Sequence, residues 1–158
     1  MRLRRTARLL ARLLPPSRAP DLVIGGEENP YLSRWYLLPK NYYFNIMVHE
    51  YHRSDDDRAN HDHPWWNLSF VLRGGFMEWS GPYDEGGVFL RVQGDVVRRR
   101  PEAAHRIELF DKRPVAPVTL FLTGPKVREW GFWCPKGWRH NAEFHADGDP
   151  TRIGKGCD

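Results

Sequence analysis

No apolar run in this 158-residue sequence approaches the length of about 20 residues needed to span a bilayer. The Leu pairs near the N-terminus are interrupted by Arg8 and Arg12, which argues against a signal-peptide core. Cysteine is scarce, with only Cys134 and Cys157 present. Two cysteines do not make the dense framework of a secreted disulfide scaffold, so a reducing, cytoplasmic compartment is expected. Acidic residues are missing from the first 18 positions, which hold six of the 24 basic residues: Arg2, Arg4, Arg5, Arg8, Arg12 and Arg18. The formal charge of +4 therefore belongs to that segment, and the remainder sets 18 basic groups against 20 acidic ones. Such a balance is not that of a polyanion binder, and no nucleic acid is expected as a partner. Internal repeats and low-complexity tracts are also absent.

What is abundant is aromatic, at 13% with seven Trp, a composition that suits a barrel lined with large side chains. The length fits one domain with a real core. Residues 1–18 read as a basic amphipathic helix with Leu3, Ala7, Leu10 and Leu14 at helical spacing, ended by Pro15-Pro16. It is expected to be a dispensable extension that docks a partner or an anionic membrane surface. Residues 19–30, with Pro20, Gly25, Gly26 and Pro30, read as a linker, residues 31–148 as the domain and residues 149–158 as a tail. Within the domain, short runs rich in aromatic and β-branched residues recur between turn signals such as Gly74-Gly75, Gly81-Pro82 and Gly124-Pro125. The expected strands are Tyr42–Tyr51, Asn67–Leu72, Phe76–Ser80, Val88–Val92, Asp95–Arg100, His105–Leu109, Val118–Leu122 and Val127–Trp133. Short strands at regular spacing without helices between them predict an all-β sandwich or barrel.

The chemistry concentrates in His61-Asp62-His63-Pro64-Trp65-Trp66-Asn67. On one extended strand His61 and His63 project from the same face, with Asn67 following on it and Asp62 opposite. Two imidazoles aimed at one point are half a metal site, and His105, in a later strand, is the candidate third ligand. Asp55, Asp56 and Asp57 read as loop-capping acids, and His140 and His145 as surface or edge residues.

These residues resemble the two motifs of the cupin superfamily. His61-x-His63, three residues, Asn67, six residues and Gly74 follow the first motif, with Asn67 where a Glu ligand is expected and Asp55 where the opening Gly would stand. Gly94, Pro101, Ala103 and His105 follow the second, with Ala103 in place of a Gly and the Pro and His one residue displaced. Residues 35 to 145, with Ser54-Asp55-Asp56-Asp57-Arg58 ahead of His-Asp-His-Pro-Trp, are similar to small uncharacterised bacterial and phage cupins. The resemblance implies a single jelly-roll barrel, a double-stranded β-helix, with a mononuclear metal held by His61, His63 and His105.

An amide at position 67 would leave three imidazoles around a full +2 charge, which favours an anionic ligand and is similar to the arrangement of thiol dioxygenases. The expected cofactor is Fe(II), with Mn, Ni, Cu or Zn as alternatives, since imidazole accepts all of them. His49 and Tyr51, on one face of the preceding strand, are candidate catalytic proton carriers. Asn67 and Arg99 are candidate substrate-binding residues, Arg99 as an inward partner for a carboxylate. The expected function is an oxygenase-type enzyme acting on a small anionic, chelating substrate. A metal-dependent isomerase, epimerase or lyase and a non-catalytic ligand-binding or assembly cupin are the alternatives, and a homodimer is a candidate assembly.

Overall fold

The computed structural model describes residues 3–55, 59–112, 114–149, 152 and 154–158. Asp56, Asp57 and Arg58 of the acidic run lie outside these. Among the described residues the chain forms two antiparallel six-stranded sheets. The first orders β1 (Leu22–Ile24), β2 (Leu32–Tyr36), β3 (Asn45–Tyr51), β10 (Val118–Thr123), β5 (Asn67–Arg73) and β8 (Val96–Arg99). The second orders β12 (Gly137–His140), β11 (Gly131–Cys134), β4 (Asn60–His61), β9 (His105–Glu108), β6 (Gly75–Ser80) and β7 (Gly87–Val92). The all-β jelly-roll expectation holds. Leu32, Tyr51 and Val71 of the first sheet meet Phe76, Ile107 and Leu109 around the second to form the core between the layers.

The N-terminal helix α1 (Arg4–Leu10) is not a detached extension. Ala7 is fully buried, and Leu3, Leu10 and Leu14 pack with it against Trp35, Val48, Phe70, Leu72 and Val118 on the outer face of the first sheet. This explains why Phe70-Val71-Leu72 is apolar without alternation: β5 is covered on both faces, by the second sheet and by α1. Removing residues 1–14 is therefore expected to cost several kcal/mol, since the three partly buried Leu side chains each contribute part of the about 1.5–3 kcal/mol of full burial and Ala7 adds to them. In a domain of this size that lowers the thermal midpoint by about 10 °C. Scanning calorimetry of the truncated chain checks this, and an unchanged midpoint would mean that the helix contributes nothing to the fold.

The presumed linker is likewise structural, because Leu22-Val23-Ile24 pairs with β2 in register Leu22 to Arg34. Its Pro and Gly content hid a three-residue β run. The tail is tied down too: Cys157 is disulfide-bonded to Cys134 of β11, and the Gly156 amide donates to the Phe144 carbonyl in α2 (Asn141–Phe144). The cysteines read from the sequence as signs of a reducing compartment are thus bonded to each other, which spacing along the chain did not suggest. No helix among the described residues is long and apolar enough to cross a membrane.

Candidate metal centre

His61 ends β4 and faces His105, the first residue of β9, as its direct cross-strand neighbour. His63 lies beyond the strand, in the crossing to the first sheet, where its amide donates to the Pro101 carbonyl at 3.0 Å. The same-strand expectation for these two residues is thus corrected: β4 is only two residues long and ends at His61. Convergence survives by another route, with ring centroids 5.1 Å apart for His61 and His63, 4.9 Å for His61 and His105, and 5.2 Å for His63 and His105. One nitrogen from each lies within 4.8 Å of the others, an arrangement that could hold a metal ion.

The donor set fits such an ion. His63 Nε2 and His105 Nε2 are 2.9 Å apart. Ligand nitrogens about 2.0–2.1 Å from an ion and at right angles to one another stand about 2.9 Å apart. Metal ligation also needs neutral imidazole. Burial pushes the His63 pKa well below its ordinary 6.5, with the neighbouring His61 and His105 adding to the effect. Burial and the Arg99 charge bring His105 to about 4, against an opposing contribution from Glu78.

Behind His105 lies a residue that motif spacing did not find. Glu78, on β6, is 2% exposed, and its Oε1 approaches His105 Nδ1 at 3.1 Å. The approach is short but off the N–H line of a well-formed hydrogen bond. Such a carboxylate holds a ligand imidazole in one tautomer, leaving Nε2 bare toward the centre. Arg99 donates from Nε to Glu78 Oε1 at 2.7 Å and contacts it again through Nη2, while Arg91 Nε donates to Oε2 at 2.5 Å. Burial alone would raise the Glu78 pKa, but the His105 contact and the two guanidinium charges hold it well below the ordinary carboxylate range.

Two expectations are corrected here. Arg99 is inward but buried and engaged by Glu78, so it has no free fork for a substrate carboxylate. Asn67 is fully buried, accepts from Arg99 Nη1 at 3.2 Å, and does not line the cavity beside the histidines. The chain changes sheets between His63 and Asn67, so the alternation that placed them on one face does not carry across. Asp62, expected to point away, is fully buried and staples β4 to β11 and β12 through the Gly131 amide at 2.8 Å and Trp138 Nε1 at 3.0 Å. Asp55, expected to cap a loop, instead reaches across to β9, accepting from the Ile107 amide at 2.5 Å. Glu78 did carry a signal: it shares strand parity with Phe76, so a carboxylate stands on a core-facing position.

The three histidines border a cavity of about 240 Å³ between the sheets. His49 and Tyr51 line it, as their shared strand face suggested, and so do Arg34, Tyr31 and His145, which sequence reasoning did not place there. Leu22, Ile24, Phe121, Trp130, Phe132 and Phe144 make much of the wall apolar.

No protein-family model matches the sequence, nor does any curated protein. Solved structures do. An uncharacterised conserved protein with a double-stranded β-helix domain from Klebsiella pneumoniae superposes at TM-score 0.51 with 17% identity, over 78% of this chain and 92% of that one. A cupin 2 conserved barrel domain protein from Rhodopseudomonas palustris superposes at 0.50 with 15% identity, over 72% of each chain. The chain has the cupin fold. The DMSP lyase DddQ from Ruegeria pomeroyi also superposes, at 0.51 with 16% identity over 72% of this chain, which spans 56% of that protein. At these identities the cupin likeness is one of fold.

Proposed function

We propose that this cupin is a mononuclear metal-dependent enzyme of oxygenase type acting on a small anionic substrate, with His61, His63 and His105 as ligands and Fe(II) as the metal. The observation that carries the reading is the convergence of three imidazoles, two of them held neutral by burial, at the wall of an apolar cavity. Imidazole donors suit iron, nickel, copper and zinc, and a set without a carboxylate leaves the ion's charge for an anionic ligand. When bound, such an ion supplies a Lewis acid and a centre for dioxygen chemistry.

The chain's own residues do the rest. Glu78 orients His105, and the aromatic walls exclude water from the substrate. Burial pushes the Tyr51 phenol up to about 12, so it holds its proton at neutral pH and acts as a donor. His49 is kept neutral by burial and by Arg34, which donates to its Nε2 at 3.0 Å. With that lone pair engaged, His49 serves to fix Arg34 rather than as a free base.

The test is metal analysis of the purified protein, followed by oxygen uptake with carboxylate and thiolate ligands. Metal-dependent oxygen consumption is the expected result. A second reading, a lyase or isomerase using the metal as a Lewis acid, is favoured by Tyr51 in the cavity and by the fold likeness to a DMSP lyase. Turnover of a chelating substrate without oxygen consumption, impaired by Tyr51→Phe, would select it.

A further inference from the structure

Arg34 stands mid-strand in β2, directly across from His49 and on the same face as Leu32, with its side chain at the cavity. The Nε bond to the His49 ring fixes the guanidinium plane. Arg73, Arg91, Arg99, Arg106 and Arg128 each lie against a carboxylate. Arg34 does not: among the described residues its Nη1 and Nη2 groups have no protein partner.

We propose that Arg34 anchors the carboxylate of a small, monoanionic substrate with an apolar body, whose other end points to His61, His63 and His105. The paired N–H groups of Nη1 and Nη2 match the two oxygens of a carboxylate in a planar, bidentate contact that an ammonium cannot make. The apolar body has a defined wall. The Phe121 ring stacks on His49 at 4.8 Å and reaches within 6.2 Å of the His63 ring, spanning the gap between anchor and histidines. Phe132 lies 5.8 Å from the His61 ring on the other side.

Charge and size narrow the class. Asp55 lines the same cavity beside Tyr31, and its negative field opposes a dianion such as phosphate. Arg53 is engaged over the Tyr31 ring at 5.6 Å, and Arg152 pairs with Asp147 at 2.5 Å. Arg53 has no carboxylate partner among the described residues, so Arg34 and Arg53 set against Asp55 leave the wall one net positive charge, matched to one negative charge, and Arg34 is the cation held against His49 with its Nη groups unpartnered. A volume of about 240 Å³ lies below the range of about 300–1,000 Å³ typical of drug-sized ligands, which suits a small acid.

The assignment rests on the reading of this cavity as the substrate site, but not on the metal being present. Trp65 and Trp130 line the cavity and report occupancy by fluorescence. Benzoate, its neutral isostere benzamide and inorganic phosphate are titrated into the full-length protein, with and without a chelator, and into Arg34→Gln, Arg34→Met and His63→Ala. Wild type should bind benzoate at least about tenfold more tightly than benzamide, and both Arg34 variants should lose that preference. Arg34→Met keeps the aliphatic stem and gives an independent reading if Arg34→Gln fails to fold. Persistence of the preference in His63→Ala or with chelator separates the anchor from any metal, so failure of the metal reading leaves this result standing. The assignment is overturned if wild type shows no benzoate preference, if both folded Arg34 variants retain it, if chelator abolishes it, or if phosphate competes as well as benzoate.

Discussion

Glu78→Ala is expected to destabilise the barrel by about 3–5 kcal/mol, the cost of leaving a buried charge without its partner. Arg99 is 7% exposed and has no other carboxylate among the described residues, and Asn67, its remaining partner there, is neutral. Glu78→Gln preserves shape but leaves both Arg91 and Arg99 uncompensated, so it should recover only part of the loss. Urea unfolding of the metal-free proteins measures both, and a loss under about 1 kcal/mol would show that Arg99 escapes to water. Metal affinity should fall as well, by about 10–100-fold, because His105 loses the carboxylate that orients it.

The same network sets the acid stability. Glu78 has a folded pKa depressed from its ordinary 4.5, so its contribution is present above that value and is lost as pH falls below it. His105, depressed from 6.5 to about 4, has the same sign, its unfolded form taking up protons first. Metal-free wild type should therefore weaken progressively from about pH 6.5 downward, and Glu78→Ala should flatten the part below about pH 4.5.

The second large effect is on metal binding itself. His61→Ala, His63→Ala and His105→Ala are each expected to lower affinity by more than the 10–100-fold typical of outer-sphere changes and to give metal-free protein on purification. His140→Ala should retain the metal, because His140 caps α2 and pairs with Glu129 at 3.1 Å, away from the cluster. Stability provides a second readout, since a ligand at about 100 times its dissociation constant adds about 2.7 kcal/mol. Chelator should therefore lower the midpoint of wild type and of His140→Ala, but leave that of His105→Ala unchanged. Full metal retention in His105→Ala would remove it from the ligand set and turn attention to His145, the remaining cavity histidine besides His49.

By itself the sequence determined the strands from β5 to β10, whose aromatic and β-branched runs and bounding turn residues are local properties, and singled out His61, His63 and His105 by spacing. It also placed His49 and Tyr51 on one cavity-facing strand face, because parity within a single strand needs no partner. Parity does not survive a change of sheet. Tertiary structure alone decided that Asn67 turns into the Arg99 network while His63 turns to the cavity, since β4 ends at His61 and the chain crosses between layers before β5. Long-range pairing likewise decided that Glu78 stands behind His105, that Arg34 rather than Arg99 keeps Nη groups without a partner among the described residues, that α1 covers the first sheet, and that Cys157 returns to Cys134. Each of these joins residues distant along the chain, brought together only when the sheets pack and exclude water, and no local pattern carries that information.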